Sequence, residues 1–329
     1  MSELKPIEPT RKLLIPYLEE LRKKYEHAVY PIDRFAEVFH IRENIYAIFI
    51  PAPHHVEDNW VYLIVGPDRA LLIDNGFGIG DLRGLCEMLA GKEVVTTVTH
   101  FHGDHAWGSS QWDWIYCHEY TKLYLERQLQ QDMMAWWDEF NYVGTEHQRD
   151  FYTHDDIINL KPYGFKVLEN HEKIDLGGDY KIEMVHMAGH SPDEVGFLDP
   201  QSRIFFSGDS LFESRFKGLG VGIHSAKGRA IHPEVMGILF YHKKISELCE
   251  RIDEFDYVMA GHGYLDSPAS IAEDCKRAVE AVMKDPYDYD TTVQRHRGIS
   301  YIKSGGKADI MYEPEDIINE LTTAGLWNK

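Results

Sequence analysis

The sequence has little cysteine, and the four cysteines that it has form no Cys-x-x-Cys pair. Cys86, Cys117, Cys249 and Cys275 are widely spaced along the 329 residues. A low cysteine count without an export signal favours reduced, mostly buried thiols over disulfide bonds. We therefore predict a cytoplasmic protein.

Basic residues and long apolar runs are also scarce. The chain has 34 lysines and arginines against 54 aspartates and glutamates, which gives a net charge of −20. Such a surface repels nucleic-acid phosphates, although a local basic groove could survive. No stretch approaches the roughly 18 apolar residues of a membrane span, and residues 1–30 lack the apolar core of a signal peptide. We expect neither a nucleic-acid nor a membrane partner.

The chain is nevertheless long and apolar enough to bury a large core, since 43% of its residues are hydrophobic. Apolar residues at helical spacing predict an N-terminal helix within residues 11–25. Residues 37–50 and 60–73 are rich in Val, Ile, Tyr and Phe, which predicts antiparallel strands. Later strand-like runs are separated by a helical stretch at about 233–254. This order predicts an α/β fold with two mixed sheets and flanking helices.

Side chains of the types that bind metals are concentrated in one short run. Residues 99–105 contain three imidazoles and a carboxylate directly after an apolar, strand-like stretch. His190, Asp209 and His262 each lie next to a glycine after a further hydrophobic run. Desolvating and orienting so many such groups together is costly unless an ion binds them. The pattern predicts a two-metal site.

The run His-x-His-x-Asp-His, followed in order by Gly-His, Gly-Asp and Gly-His, resembles the metallo-β-lactamase superfamily of dinuclear metallohydrolases. The resemblance covers about residues 35–270 and includes the early turn at residues 72–76. It implies a four-layer αββα sandwich of two mixed sheets flanked by helices. The order of segments along the chain further predicts an N-terminal helical extension at 1–34, a main domain at 35–284 with an insertion at 119–163, and a C-terminal appendage at 285–329.

The resemblance implies a role for each ligand position. One metal ion would be held by His100, His102 and His190, the other by Asp104, His105 and His262, and Asp209 would bridge them. Asp74 would support a ligand imidazole, or serve only to shape its turn. Imidazole and carboxylate donors without thiolate suit two divalent ions, either zinc or the alternatives iron and manganese.

The implied activity is hydrolysis of a small thioester, lactone or ester, in which a metal-bridging hydroxide attacks the carbonyl and Asp104 orients it. The ligand set is similar to those of glyoxalase II-type thioesterases, acyl-homoserine lactonases and the tRNase Z branch. Residues 208–212 resemble the thioesterase motif, whereas Phe212 stands where lactonases typically have a tyrosine. The acidic charge disfavours RNA processing. An iron-dependent persulfide dioxygenase, whose ligands overlap, and a phosphoesterase remain alternatives.

Two segments are candidates for further contacts. The insertion at 119–163 is acidic and aromatic, and would form a lid, a homodimer interface or an ordinary helical pair with buried aromatics. The stretch from Leu211 to Pro233 instead is locally basic. Its candidate substrate-binding residues are Arg215, Lys217, His224, Lys227 and Arg229. We predict that they bind an anionic part of the substrate, such as a carboxylate; the alternative is a solvated loop that offsets the acidic surface.

Overall fold

The chain forms two compact units, Met1–Ile182 and Glu183–Lys329. The structure is a computed structural model, and it describes residues 4–53, 58–142, 150–214, 220–224, 232–295 and 298–327. Each unit has a buried apolar core of its own.

The first unit is built on an eight-stranded mixed sheet whose strands follow one another in chain order. The strands are β1 (Glu26–Tyr30), β2 (Asp33–Arg42), β3 (Ile45–Ile50), β4 (Asn59–Val65), β5 (Ala70–Ile73), β6 (Val94–Thr97), β7 (Trp114–His118) and β8 (Gly164–Leu168). Neighbours from β1 to β5 pair antiparallel, and those from β5 to β8 pair parallel. The helices are α1 (Ile15–Lys24), α2 (Leu82–Ala90), α3 (Gly103–Ala106), α4 (Glu119–Leu129) and α5 (Met133–Tyr142).

Local sequence explains where the elements of the first unit begin and end. Leu18 and Leu21 are buried on α1, in agreement with the helical spacing of that segment. Helix α2 is preceded by Asp81, whose carboxylate caps the first turn by accepting the Gly84 amide, and is followed by Gly91 in the left-handed conformation. Strands β4 to β6 are buried along almost their whole length, as expected for continuous apolar runs.

The remaining strands are β9 (Lys173–Asp175), β10 (Lys181–His186), β11 (Val195–Asp199), β12 (Ile204–Gly208), β13 (Val221–Gly222), β14 (Tyr257–Ala260), β15 (Ser267–Pro268), β16 (Thr291–Arg295), β17 (Gly298–Ser304) and β18 (Asp309–Tyr312). A six-stranded mixed sheet has the order β15-β14-β12-β11-β10-β9, and a four-stranded one the order β13-β18-β17-β16. The helices of the second unit are α6 (Ile238–Glu250), α7 (Ile271–Lys284) and α8 (Pro314–Thr323). These mixed sheets and helices confirm the predicted α/β class.

The C-terminal segment, predicted as an appendage at 285–329, contributes directly to the core of the second unit. Ala308, Ile310 and Ile317 are buried in one cluster with residues of α6 and α7. Strand β18 also pairs with β13, which lies within the stretch from Leu211 to Pro233. The middle described part of that stretch, residues 220–224, is therefore attached to the C-terminal sheet.

Candidate metal centre

The parallel pairing of β5 and β6 places the first group of candidate ligands. Ile73 and Thr97 are register partners, so the turns after them leave the sheet at the same edge. The carboxyl ends of parallel strands are where open α/β sheets usually bind ligands. Asp74 follows β5 at this edge, and the ligand run that ends in α3 follows β6.

Four predicted ligands are crowded together in the first unit. His100 Nε2 lies 2.8 Å from His102 Nδ1, and His105 Nε2 lies 3.3 Å from Asp104 Oδ2. Two ligand atoms that share a tetrahedral ion at about 2.0–2.1 Å lie about 3.3 Å apart. His100 and His105 are fully buried, whereas the Asp104 side chain is 20% exposed. Asp104 is thus the ligand of this pair that water can reach.

Asp74 holds two parts of this turn through its carboxylate. Oδ1 accepts the Thr99 amide at 2.7 Å, and Oδ2 accepts the Thr99 hydroxyl at 3.0 Å. Oδ2 also lies 2.7 Å from His105 Nδ1, so a protonated Nδ1 would donate to it. This contact fixes the tautomer that leaves His105 Nε2 unprotonated and able to bind a metal ion.

Asn59 is a contributor to this site that the sequence did not reveal. Its side-chain amide donates to the backbone carbonyl of Asp104, and the residue is fully buried. Asn59 begins β4 and lies far from the ligand run in sequence, so no local motif marks it. The contact holds the backbone of the first turn of α3.

The second unit brings three further candidate ligands together around one carboxylate. Asp209 Oδ2 lies 3.6 Å from His190 Nε2, and Asp209 Oδ1 lies 3.4 Å from His262 Nε2. Each carboxylate oxygen therefore faces a different imidazole. A carboxylate with one imidazole beside each oxygen could share a metal ion with either of them.

Strand pairing explains why these three residues meet. Strands β12 and β14 run parallel, with Gly208 opposite Ala260, so Asp209 and His262 follow neighbouring strand ends. The Gly261 amide donates to the Gly208 carbonyl at 2.9 Å, which joins the two turns. His190 lies in the loop between the antiparallel strands β10 and β11.

Two buried side chains not predicted from the sequence stabilise the His190 loop. The Asp209 amide donates at 2.9 Å to the Glu194 carboxylate, and Glu194 is fully buried. His186 Nε2 lies 2.9 Å from the Pro192 carbonyl, to which a protonated nitrogen donates. Burial lowers the pKa of His186 to about 4, so the ring is neutral at physiological pH. Through Glu194, the loop is also bonded to the backbone of Asp209.

Of the five predicted substrate-binding residues, His224 falls within the described part of the chain. Its ring centroid is 5.7 Å from that of His190, with the rings at 61°, and the side chain is exposed. Its amide lies 3.4 Å from the Gly189 carbonyl. The other four predicted residues, Arg215, Lys217, Lys227 and Arg229, lie outside the described residues.

The aromatic insertion contributes to the core of the first unit. Trp137 is 1% exposed, and its indole nitrogen donates to the Phe77 carbonyl at 2.8 Å. Tyr152 is also buried, with its ring 5.8 Å from that of Trp137. Tyr124, on α4, stacks on Phe101 at 4.2 Å, beside the ligand His102. The insertion is thus in contact with the ligand run.

The donor set fits divalent metal ions. All seven predicted ligands belong to groups of histidine and aspartate side chains that could hold a metal ion. The donors are imidazole nitrogens and carboxylate oxygens, a combination that zinc, iron and manganese all accept. The residues are His100, His102, Asp104, His105, His190, Asp209 and His262.

The family of the chain follows from a direct comparison with family models. Residues 56–289 match the model of the metallo-beta-lactamase superfamily. The chain belongs to the metallo-β-lactamase superfamily. The resemblance inferred from the ligand motif is thereby confirmed.

Among curated proteins, the chain is similar to acyl-coenzyme A thioesterases. It is 26% identical over 169 residues to acyl-coenzyme A thioesterase MBLAC2 of Homo sapiens, covering 46% of this chain and 58% of that protein. The protein of the same name from Gallus gallus is 25% identical over 162 residues, covering 46% and 57% of the two chains. The match therefore spans less than two thirds of the length of these relatives.

Solved structures show the fold. A metallo-β-lactamase from Pontibacter korlensis aligns with a TM-score of 0.51 at 19% identity, covering 72% of this chain and 95% of that one. The DIM-1 metallo-β-lactamase aligns with a TM-score of 0.50 at 16% identity, covering 75% and 98%. The predicted αββα sandwich class is confirmed.

Two expectations from composition can also be compared with the structure. All four cysteines are free thiols, and Cys86, Cys117 and Cys275 are buried, as predicted. Among the described residues, every helix is too short or too polar to span a bilayer.

Proposed function

We propose that the chain is a dinuclear metal-dependent thioesterase that hydrolyses the thioester of a small acyl-coenzyme A-type substrate. The observation that carries this proposal is the Asp209 carboxylate, whose two oxygens face His190 and His262 separately. Family membership supports the hydrolytic chemistry, and the curated relatives support the thioester bond among the ester-like candidates. Both metal ions would be zinc, with iron or manganese as alternatives.

The proposed site combines the ligands of both units in the assignment that the family resemblance implies. His100, His102 and His190 would hold one ion, and Asp104, His105 and His262 the other, with Asp209 between them. When bound, the two ions would lower the pKa of a water and polarise the scissile carbonyl. The protein supplies an ordered set of ligands for this chemistry, fixed by Asp74 in the first unit and Glu194 in the second.

Asp104 would act both as ligand and as proton carrier. Its carboxylate lies 3.3 Å from His105 Nε2 and is partly exposed, so it is accessible to the attacking water and to a leaving group. It would orient that water, accept its proton and pass the proton to the departing thiolate sulfur. Asn59 holds the backbone of Asp104 and would limit the movement of this carboxylate.

His224 is the described residue that we assign to substrate binding. It is exposed beside His190, and so lies where the anionic part of a substrate could reach it. Arg215, Lys217, Lys227 and Arg229 would add positive charge in the same stretch of chain. Coenzyme A carries phosphates, which basic side chains attract electrostatically. The locally basic composition therefore agrees with this substrate class.

The four free cysteines support the further proposal of a reducing, cytoplasmic location. Assembly into a homodimer stays a prediction from the sequence.

The test measures thiol release from short, medium and long acyl-coenzyme A thioesters by the purified, metal-loaded protein. We expect turnover that His102→Ala abolishes and that His242→Ala retains, because His242 pairs with Glu280 outside the ligand set. Matched lactones and phosphoesters are assayed in parallel. Turnover of those alone, or bound iron with oxygen uptake in the presence of a persulfide, would contradict the thioesterase proposal.

A further inference from the structure

Tyr241 lies directly behind the ligand loops of the second unit. It is on α6, is fully buried, and donates its hydroxyl to the Ser210 carbonyl at 2.5 Å. The same hydroxyl lies 3.1 Å from Cys275 Sγ. Burial raises the pKa of Tyr241 well above 10 and that of Cys275 to about 12, so both groups keep their protons at neutral pH. The tyrosine is therefore a permanent donor to the turn that contains Asp209.

The ring of Tyr241 packs against the loop that contains His190. A Cβ atom built on Gly189 would lie 2.2 Å from Tyr241 Cδ2, 2.7 Å from Cγ and 3.0 Å from Cβ. These atoms belong to the base of the side chain, which cannot swing away without moving α6. The ring thus fills the space that a larger residue before His190 would occupy.

The hydroxyl completes a closely bonded turn. The Ser207 carbonyl accepts the Ser210 amide at 3.1 Å and the Ser210 hydroxyl at 2.7 Å. The Leu211 carbonyl accepts the Ser207 hydroxyl at 2.5 Å. The bond from Tyr241 to the Ser210 carbonyl adds a link from this turn to a helix. Phenylalanine would fill the same core volume, so the volume alone does not account for the hydroxyl.

We propose that Tyr241 is a positioning residue of the metal centre, which sets the distance between His190 and Asp209. It contacts Gly189, directly before His190, and Ser210, directly after Asp209. The inference rests on the ligand assignment of the proposed function, but not on the identity of the substrate. Tyr241 would act through its contacts with the backbone of Gly189 and Ser210. Groups that hydrogen-bond a ligand directly typically change metal affinity by about 10–100-fold when they are lost, so a contact one residue away should act at the lower end of that range.

The experiment compares Tyr241→Phe with Tyr312→Phe in the full chain. Tyr312 lies in the same core, is buried and donates its hydroxyl to the Pro286 carbonyl at 3.0 Å, away from the ligand loops. Apo protein is titrated with Zn²⁺ and with Co²⁺, and the visible absorption of the Co²⁺ form is recorded. Thermal unfolding of both apo variants measures the loss of stability that the two substitutions share.

We expect Tyr241→Phe to weaken binding of at least one ion by about 10-fold and to change the Co²⁺ spectrum. Tyr312→Phe should lower apo stability similarly while leaving affinity and spectrum as in the wild type. Equal affinities and spectra for both variants would overturn the proposal, and so would wild-type protein that binds no metal. Because the readout is metal binding, a protein that binds two ions but hydrolyses no thioester would contradict the proposed function alone.

Discussion

The two units supply their proposed metal ligands in different ways. In the first unit, four ligands lie within six consecutive residues, and Asp74 supports them from the neighbouring strand end. In the second, three ligands come from three loops that are 19 and 53 residues apart, between His190, Asp209 and His262. A contiguous turn requires one strong anchor, whereas separate loops must be bonded to one another. Glu194 and Tyr241 make such bonds.

The largest effect is expected from Asp74→Asn, which tests whether the first unit depends on a single anchor. Asparagine tolerates the left-handed backbone of residue 74, which has φ of 61°, and can still accept the Thr99 amide. Its NH₂ group, however, would donate to His105 Nδ1 and favour the tautomer protonated on Nε2, which cannot bind metal. We expect a loss of about 100-fold in metal affinity. Titration with Zn²⁺ measures it, and nitrogen NMR of the imidazoles reports the tautomer.

Asp58→Asn is the matched control for that variant. Asp58 is likewise buried and accepts the Thr10 and Ala52 amides, which belong to segments outside the ligand run. It should reduce stability without reducing metal affinity. Equal metal affinity in the Asp74 variant and the control would show that the turn does not need its anchor.

The same contrast explains which parts of the site could be predicted from sequence. The run His100–His105 is visible because its ligands are contiguous, and the three later ligands are visible because glycines follow hydrophobic runs. Asn59, Glu194 and Tyr241 carry no such signal. Their partners lie 45, 15 and 31 residues away, so tertiary packing, and not a local pattern, gives them their roles.

The fold shows a similar division. The α/β class follows from the alternation of strand-like and helical segments, and it is confirmed by the structure. The strands β16 to β18 carry no clear strand signal, because their sequence is polar; of their described side chains, Ile302, Ile310 and Tyr312 are deeply buried. The pairing of β18 with β13 joins segments about 90 residues apart, which spacing patterns cannot reveal.

The units also contain buried titratable groups with opposite effects on stability. In the first unit, burial raises the pKa of Asp33 to about 7. Between about pH 4 and 7, the folded state therefore binds more protons at Asp33 than the unfolded state does. The stability that Asp33 contributes is lost as pH rises through that window. Asp33→Asn keeps an acceptor for the Phe35 amide. Between pH 4 and pH 8, the free energy of unfolding of the variant should rise by about 2–4 kcal/mol relative to that of the wild type. Denaturant unfolding at several pH values measures this difference.

A constant difference between wild type and the Asp33 variant at all pH values would show that the carboxyl group does not titrate in this window. Phe35→Leu is a suitable control, because it alters the neighbouring packing and adds no titrating group.

In the second unit, His186 is expected to have the opposite effect, and a smaller one. Its folded-state pKa is lowered to about 4, so its contribution to stability is present above about pH 6.5 and is lost as pH falls towards 4. His186→Gln offers a side-chain NH₂ to the Pro192 carbonyl but does not titrate. Between pH 7 and pH 4, the free energy of unfolding of the variant should fall by about 1–3 kcal/mol less than that of the wild type. Parallel unfolding curves with unchanged pH dependence would contradict the assignment.

The smallest effect is expected from the caps of two helices, and it tests whether the second unit relies on distant contacts in its scaffold as well as in its site. The first turn of α2 is capped locally, because Asp81 accepts the amide of Gly84. The first turn of α6, the helix that carries Tyr241, is capped instead by Glu320 of α8, which accepts the Ile238 and Leu239 amides at 2.9 and 2.8 Å.

Removing either cap should cost about 1–2 kcal/mol of unfolding free energy. Asp81→Ala should lower only the free energy of unfolding, because among the described residues no hydrogen bond joins α2 to a ligand loop. Glu320→Ala frees the N-terminal turn of α6, and Tyr241 lies in the next residues of that helix, so it should also weaken metal binding by about 2–5-fold. Calorimetric Zn²⁺ titration of both variants separates the two results. Equal metal affinities would mean that α6 is held by packing alone, and that distant contacts matter in the second unit only where they reach the ligand loops.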